Sequence, residues 1–150
     1  FFTTPTLLFS QKGKGITNVT GEKLYESQLI DAMNATKSHF EIELRFYQAL
    51  ADDTAMKYRI YVEVATEQRI DAMAVGAYVD GQFQDANMEY KSKRASGRLG
   101  PLEMVQLRPG TGEAYKLHYL AAGQRESQFK PVILQHTKDF SFDISAHRMP

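Results

Sequence analysis

"HFEIELRFYQAL", His39 to Leu50, and "MKYRIYVEVA", Met56 to Ala65, are the two runs on which the fold of this chain turns. In the first, Phe40, Ile42, Leu44 and Phe46 alternate with other residues; in the second, Tyr58, Ile60, Val62 and Val64 do the same. A strand points successive side chains to opposite faces, so a period of two buries one face and leaves the other to solvent. Only "ADDTA", Ala51 to Ala55, lies between the runs, and so short a connection makes them neighbouring antiparallel strands.

Upstream, "PTLLFSQ" and "GITNVTG" are short, apolar and β-branched, and the turn Gly13-Lys14-Gly15 between them predicts a hairpin. From Glu22 to about Lys37, the positions of Leu24, Leu29, Ile30 and Met33 predict a helix. Downstream, Thr66 with Glu67 behind it reads as an N-cap. Ile70, Met73, Tyr78, Phe83, Met88 and Tyr90 then predict one or two helices toward Arg94, with Gly76 and Gly81 as weak points that delay the start. "SGRLGP" is a loop, "LEMVQLRPG" an alternating strand, and "TGEAYKLHYLAAG" a helix closed by Gly123. "QFKPVIL" and a last polar-apolar alternation, "DFSFDIS", follow. The order is close to ββαββαβα. It predicts an α+β fold with helices packed on one face of a mainly antiparallel sheet, rather than a parallel doubly wound one.

At 150 residues the chain has room for one domain with a real core. Eighteen Lys and Arg balance eighteen Asp and Glu, so no global basic field draws it to nucleic acid or to an anionic membrane. The absence of cysteine removes disulfides, thiol nucleophiles and thiolate metal sites, and fits a reducing, cytoplasmic setting. No apolar run approaches the ~20 residues that cross a bilayer. The sequons at Asn18 and Asn34 read as chance, and the opening Phe1-Phe2, without Met, reads as the start of a piece of something longer.

A phosphate-binding loop of the nucleotide-hydrolase type needs Gly-Lys-Ser/Thr at its end, and here Gly21 is followed by Glu22. What remains is Lys14 on a Gly-flanked turn, either a solvated hairpin residue or a cation that reaches an anion supplied from elsewhere. His39, His118, His136 and His147 have no i,i+4 pairing and no acidic partner at metal-ligand spacing, so no metal site is expected. No serine lies in a G-x-S-x-G elbow. "KSKRASGR", with Lys91, Lys93, Arg94 and Arg98, suits either an acidic partner or the C-terminal end of a helix dipole. Composition and spacing name no reaction.

The text from Asp80 onward, "DGQFQDANMEYKSKRASGRLGPLEMVQLRPGTGEAYKLHYLAAGQRESQFKPVIL", resembles the C-terminal portion of the Gretchen Hagen auxin-responsive family of acyl-adenylate-forming amido synthetases. The matching residues are Asn87, Tyr90, Arg94, Leu102, Gly110, Thr111, Glu113, Gln128 and Lys130. "FSQKGKGITNVTGEKLYESQL" is similar to the same family's hinge and the strand-loop-helix after it, through Asn18, Val19, Gly21 and Glu22. The chain departs from the family's Lys-Val-Pro-Arg, reading Lys130-Pro131-Val132-Ile133.

The resemblance implies that residues 1–15 are a hinge and hairpin region joining a missing N-terminal adenylating domain. Residues 16–150 would be the small C-terminal α+β domain that serves as its lid. It implies an enzyme that converts ATP and a carboxylic acid to an acyl-adenylate and pyrophosphate, then passes the acyl group to an amine such as an amino acid. ATP and Mg2+ would be bound mainly by the missing domain. Lys14 is the first candidate for the catalytic cation and Lys130 the second. Lys12, Thr20, Gly21 and Glu22 are the candidates to face the nucleotide. Implied partners are the adenylating domain of the same polypeptide, a small carboxylic acid and an amine, with no nucleic acid and no membrane. Two other readings stay open: a lid of an acyl-CoA ligase-like enzyme, whose acceptor is a thiol, and a non-catalytic α+β binding module.

Overall fold

A computed structural model describes residues 15–65, 68–123 and 131–150. Its elements run β1 (Ile16–Thr17), β2 (Leu24–Tyr25), α1 (Glu26–Phe40), β3 (Leu44–Asp52), β4 (Lys57–Val64), α2 (Ala72–Ala86), α3 (Met88–Ala95), β5 (Glu103–Gln106), α4 (Thr111–Ala121) and β6 (Leu134–His136). Two 3-10 turns, Thr137–Asp139 and Ile144–His147, follow.

The α+β class is as expected, with the two alternating runs pairing antiparallel from Leu44↔Val64 to Asp52↔Lys57. Asp52 makes the turn between them, its Oδ1 accepting from the amides of Thr54 and Ala55 at 3.0 and 2.9 Å. The sheet as a whole is mixed. Its order is β5-β4-β3-β6, and both outer strands lie parallel to their neighbours. Each outer strand returns through a helical segment, and a crossover of that kind delivers a parallel strand.

The expectation of helices on one face is corrected. Ala49, Ala51, Tyr58, Ile60, Val62, Met104 and Leu134 form one core with α1, α2 and Tyr90 of α3. Leu50, Tyr61, Val105 and Leu107 face the other way and pack with Ile144, Phe46, Phe140 and Phe142. Helix α4 belongs to that second side, Tyr115 lying 5.3 Å from Phe46 and 5.7 Å from Phe140 between ring centres. A bulge explains why the first alternation misled. The register shifts between Leu44 and Phe46, so Leu44 packs toward the first core and Phe46 toward the second.

Local chemistry moved several boundaries. The expected first strand, "PTLLFSQ", and the expected cap Thr66 lie outside the described residues. β1 pairs with β2, across the loop Asn18–Lys23. Asp71 caps α2, accepting from Ala74 N at 3.1 Å, and the helix runs through Gly76 and Gly81 without a break. Gly76 has a packing use: a Cβ there would lie 3.3 Å from Met104 Cβ, so its absence lets α2 settle on β5. Asn87 splits the long pattern into two helices. Its backbone is extended and its Oδ1 accepts from Tyr90 N at 2.9 Å, which starts α3. That makes four helices among the described residues instead of three, and β6 follows the last of them. "DFSFDIS" forms turns that set Phe140 and Phe142 on the second core.

Candidate functional site

Of the residues singled out in the sequence, Lys12, Lys14 and Lys130 lie outside the described residues, as does Gln128. Gly15, which follows Lys14 in the chain, and Val132, two residues after Lys130, line one groove of about 210 Å³ together with Leu134, His136 and Asp139.

Beside that groove is the loop Asn18–Lys23, and Glu22 organises it. The Glu22 side chain is completely buried. Its Oε2 accepts from Val19 N at 2.8 Å and from the Tyr58 hydroxyl at 2.6 Å. Its Oε1 accepts from Thr20 N at 2.9 Å and from Thr20 Oγ1 at 2.8 Å. Four donors on one carboxylate fill its acceptor capacity. Burial alone pushes the Glu22 carboxyl up, but the Tyr58 hydroxyl, both amides and the Thr20 hydroxyl outweigh it and hold the group below the ordinary glutamate value. Burial and the neighbouring Glu22 charge raise the Tyr58 phenol far above its usual range, so it stays a donor. Its oxygen also lies 2.9 Å from Thr17 Oγ1, which ties β1 to β4.

The Glu22 carboxylate, one of the groups expected near the nucleotide, points into its own domain and positions the loop. Thr20 is half-buried, while Gly21 and Asn18 are exposed. Gly21 adopts φ +114°, a left-handed region that a residue without Cβ enters freely, and its amide donates to Asn18 Oδ1 at 2.6 Å. On one side of the loop, His136 Nε2 lies 3.5 Å from Asn18 N while His136 Nδ1 meets Asp53 Oδ2 at 3.0 Å. The imidazole thus bridges the loop and the β3–β4 turn. On the other side stands α3, whose Asn87 Nδ2 donates to Lys23 O at 2.6 Å.

The residues behind the family resemblance are largely structural. Tyr90 OH and Arg94 Nε meet Asp80 Oδ1 at 2.5 and 2.9 Å, and Arg94 Nη2 and Gln84 Nε2 meet Oδ2 at 3.1 and 2.8 Å. This clasp fastens α3 to α2. Asp80 holds the Arg94 guanidinium in its charged form, and burial raises the Tyr90 phenol. Leu102 joins the first core. Gly110 and Thr111 open α4, where Glu63 accepts from the amides of Gly110 and Gly112 at 2.9 and 2.7 Å. Sequence reasoning missed Glu63, because its partners come from a distant segment. Among the described residues no group of three or more His, Asp or Glu side chains converges to hold a metal ion, so no Mg2+ ligand is assigned here. No described helix is long and apolar enough to cross a membrane.

Comparison with known proteins supplies the family. A comparison with curated proteins gives no match. Among solved structures, the chain is similar to a GH3.15 acyl acid amido synthetase, with a TM-score of 0.78 and 20% identity over 91% of this chain and 26% of that one. It is also similar to an AtGH3.15 acyl acid amido synthetase in complex with 2,4-DB, with a TM-score of 0.72 and 18% identity over the same shares, 91% and 26%. At such identities the likeness carries the fold, and the chain spans about a quarter of the length of these solved relatives. Residues 27–139 match the model of the GH3 family C-terminal domain. The chain therefore belongs to the GH3 family, as its C-terminal domain.

Proposed function

We propose that this domain is the moving part of an ATP-dependent acyl acid amido synthetase working in the cytoplasm. An adenylating domain N-terminal to it would activate a carboxylic acid as its acyl-adenylate, and an amine such as an amino acid would then take the acyl group. Residues 1–15 act as the hinge and 16–150 as the small domain. ATP and Mg2+ are held mainly on the large domain, where the substrates also lie. Lys14 and Lys130 are the proposed cations for the phosphates, with Lys12 beside them, while Thr20 and Gly21 form the loop that faces the nucleotide and Glu22 sets that loop's shape.

The observation that carries this reading is the family match over residues 27–139. The loop adds support of its own, since a surface turn tied down by a buried carboxylate and its phenol partner is rigid enough to place a group against another domain. Gly15, which follows Lys14 in the chain, and Val132, two residues after Lys130, line one groove, and this neighbourhood supports assigning both lysines to one site.

Exchange of labelled pyrophosphate into ATP tests the proposal. The 150-residue chain is expected to fold and to give no exchange with a panel of carboxylic acids, while a protein carrying both domains gives exchange and amide product. Exchange by the 150-residue chain alone contradicts the proposal, and so does a two-domain protein that forms no acyl-adenylate.

A further inference from the structure

The exposed part of the loop, Asn18 to Gly21, has no free amide to offer an anion. Val19 N and Thr20 N are turned in to Glu22, Gly21 N is taken by Asn18 Oδ1, and Asn18 N faces His136 Nε2. Glycine-rich loops that grip phosphate do so with outward-facing amides, and this one has turned its amides to holding itself together. Positive charge at this turn has to come from a side chain.

One side chain is in place. Lys93, in the last turn of α3, lies on the bare face of Gly21: a Cβ built on Gly21 would be 3.2 Å from Lys93 Cε and 3.3 Å from its Nζ. The contact depends on residue 21 having no side chain. Lys93 is half-buried, and among the described residues its ammonium makes no ion pair, whereas its neighbour Arg94 is held by Asp80. The helix that carries it is fixed to the loop by Asn87 and to α2 by the Asp80 clasp. Lys93 therefore combines a charge without an ion partner among the described residues with a defined position, and charge-assisted contacts gain most from such preorganisation.

We propose that Lys93 is the phosphate-contacting cation of this loop, meeting the phosphate of the acyl-adenylate during the amide-forming step. The proposal rests on the adenylate-forming reading above and adds to it a residue from "KSKRASGR", a segment that reading left unused. In this step the amine nitrogen attacks the acyl carbonyl carbon and a C–N bond forms. The bond from that carbon to the phosphate oxygen breaks, AMP leaves with the electron pair, and the amine's proton passes to solvent. Negative charge grows on the departing phosphate, where a fixed ammonium stabilises it.

The test uses the two-domain protein with Lys93→Met, which keeps the methylenes on Gly21 and removes the charge. Lys93→Arg restores the charge, and Lys91→Met serves as an exposed control on the same helix. Pyrophosphate exchange reads the first step, and amide formation from supplied acyl-adenylate reads the second. Lys93→Met is expected to slow the second step by about 10²-fold and to leave exchange unchanged, with Lys93→Arg recovering most of the rate and Lys91→Met behaving as wild type. Amide formation at the wild-type rate by Lys93→Met overturns the proposal. Equal loss in both steps with a lowered Tm does so too, because it assigns Lys93 to packing. A wild-type protein that fails in both steps overturns the adenylate-forming reading and this proposal with it. One that works normally while Lys93→Met also works normally overturns this proposal alone.

Discussion

Tyr58 donates its phenolic hydrogen to Glu22 Oε2 across 2.6 Å, inside a domain where both side chains are fully buried. A buried charge is tolerated when every lone pair is used, and removing one donor leaves the rest of the desolvation cost standing. Tyr58→Phe deletes this bond and the contact with Thr17 while leaving the ring in the core. It is expected to lower stability by about 1.5–3 kcal/mol, read as a lower midpoint in urea with an unchanged m value.

The same carboxylate gives stability a pH dependence of definite sign. Its folded-state pKa lies below the unfolded value, so its contribution is complete above the unfolded glutamate pKa of about 4.3 and is lost as pH falls through the folded value. Asp52 and Glu103 act in the same direction. The Asp52 value is lowered chiefly by the Ala55 amide, and that of Glu103 by its hydrogen bond from Lys57. Glu22→Gln should be less stable at pH 7 and lose less stability on acidification than the wild type. Parallel acid-unfolding curves for the two proteins would show that Glu22 titrates normally.

Glu63 stands in for the missing side-chain cap of α4. Gly110, the N-cap residue, has φ +94° and no side chain, and the carboxylate that accepts from Gly110 and Gly112 comes from β4. Glu63→Ala should cost about 0.5–2 kcal/mol, the range of a lost N-cap, with loss of helical circular dichroism confined to α4. Gly112→Ala tests the same contact from the other side. Its Cβ would fall 2.9 Å from Phe46 Cβ and 3.2 Å from Glu63 Oε1, so overpacking is expected to cost about 1–3 kcal/mol.

The Asp80 clasp predicts a larger effect. Asp80→Ala strands Arg94 and Tyr90 together, and breaking such a pair from one side costs about 3–5 kcal/mol when it is buried. The low end applies because 21% of the Arg94 side chain remains exposed. The expected result is a loss of about 3 kcal/mol, with faster hydrogen exchange across α3 and in the Asn18–Lys23 loop that α3 supports.

What the sequence made legible followed from local rules. The period of two in "MKYRIYVEVA" gave β4, and the order of short motifs around Asn87, Tyr90 and Arg94 gave the family. The bulge after Leu44 was not legible, because an inserted residue shifts the phase of an alternation without changing its composition. Nor was the inward turn of Glu22, which depends on a phenol from another strand. The motif residues that carried the resemblance serve the scaffold: Asn87 caps α3, and Tyr90 and Arg94 fasten it to α2. A pattern in sequence does not say whether it marks a scaffold or a site. The contact of Lys93 with Gly21 joins segments that no periodicity connects, so only folding reveals it.

The proposed lysines divide by the step at which they act. A cation that stabilises charge developing on the α-phosphate works mainly in the transition state. In the two-domain protein, Lys14→Ala should therefore lower the adenylation rate and leave ATP binding little changed. Removing one such donor costs about 10²–10³-fold, or about 2.7–4 kcal/mol of barrier, whereas removing a solvated lysine costs almost nothing. Lys130→Ala is the internal comparison. A severe loss in Lys130→Ala with normal Lys14→Ala moves the role to Lys130, and normal rates in both remove it from either. Thermal unfolding of each variant has to stay near wild type, since a misfolded small domain imitates a missing catalytic group. With Lys93→Met measured alongside, the expected pattern is a split: exchange falls in Lys14→Ala and holds in Lys93→Met, while amide formation from supplied acyl-adenylate falls in Lys93→Met.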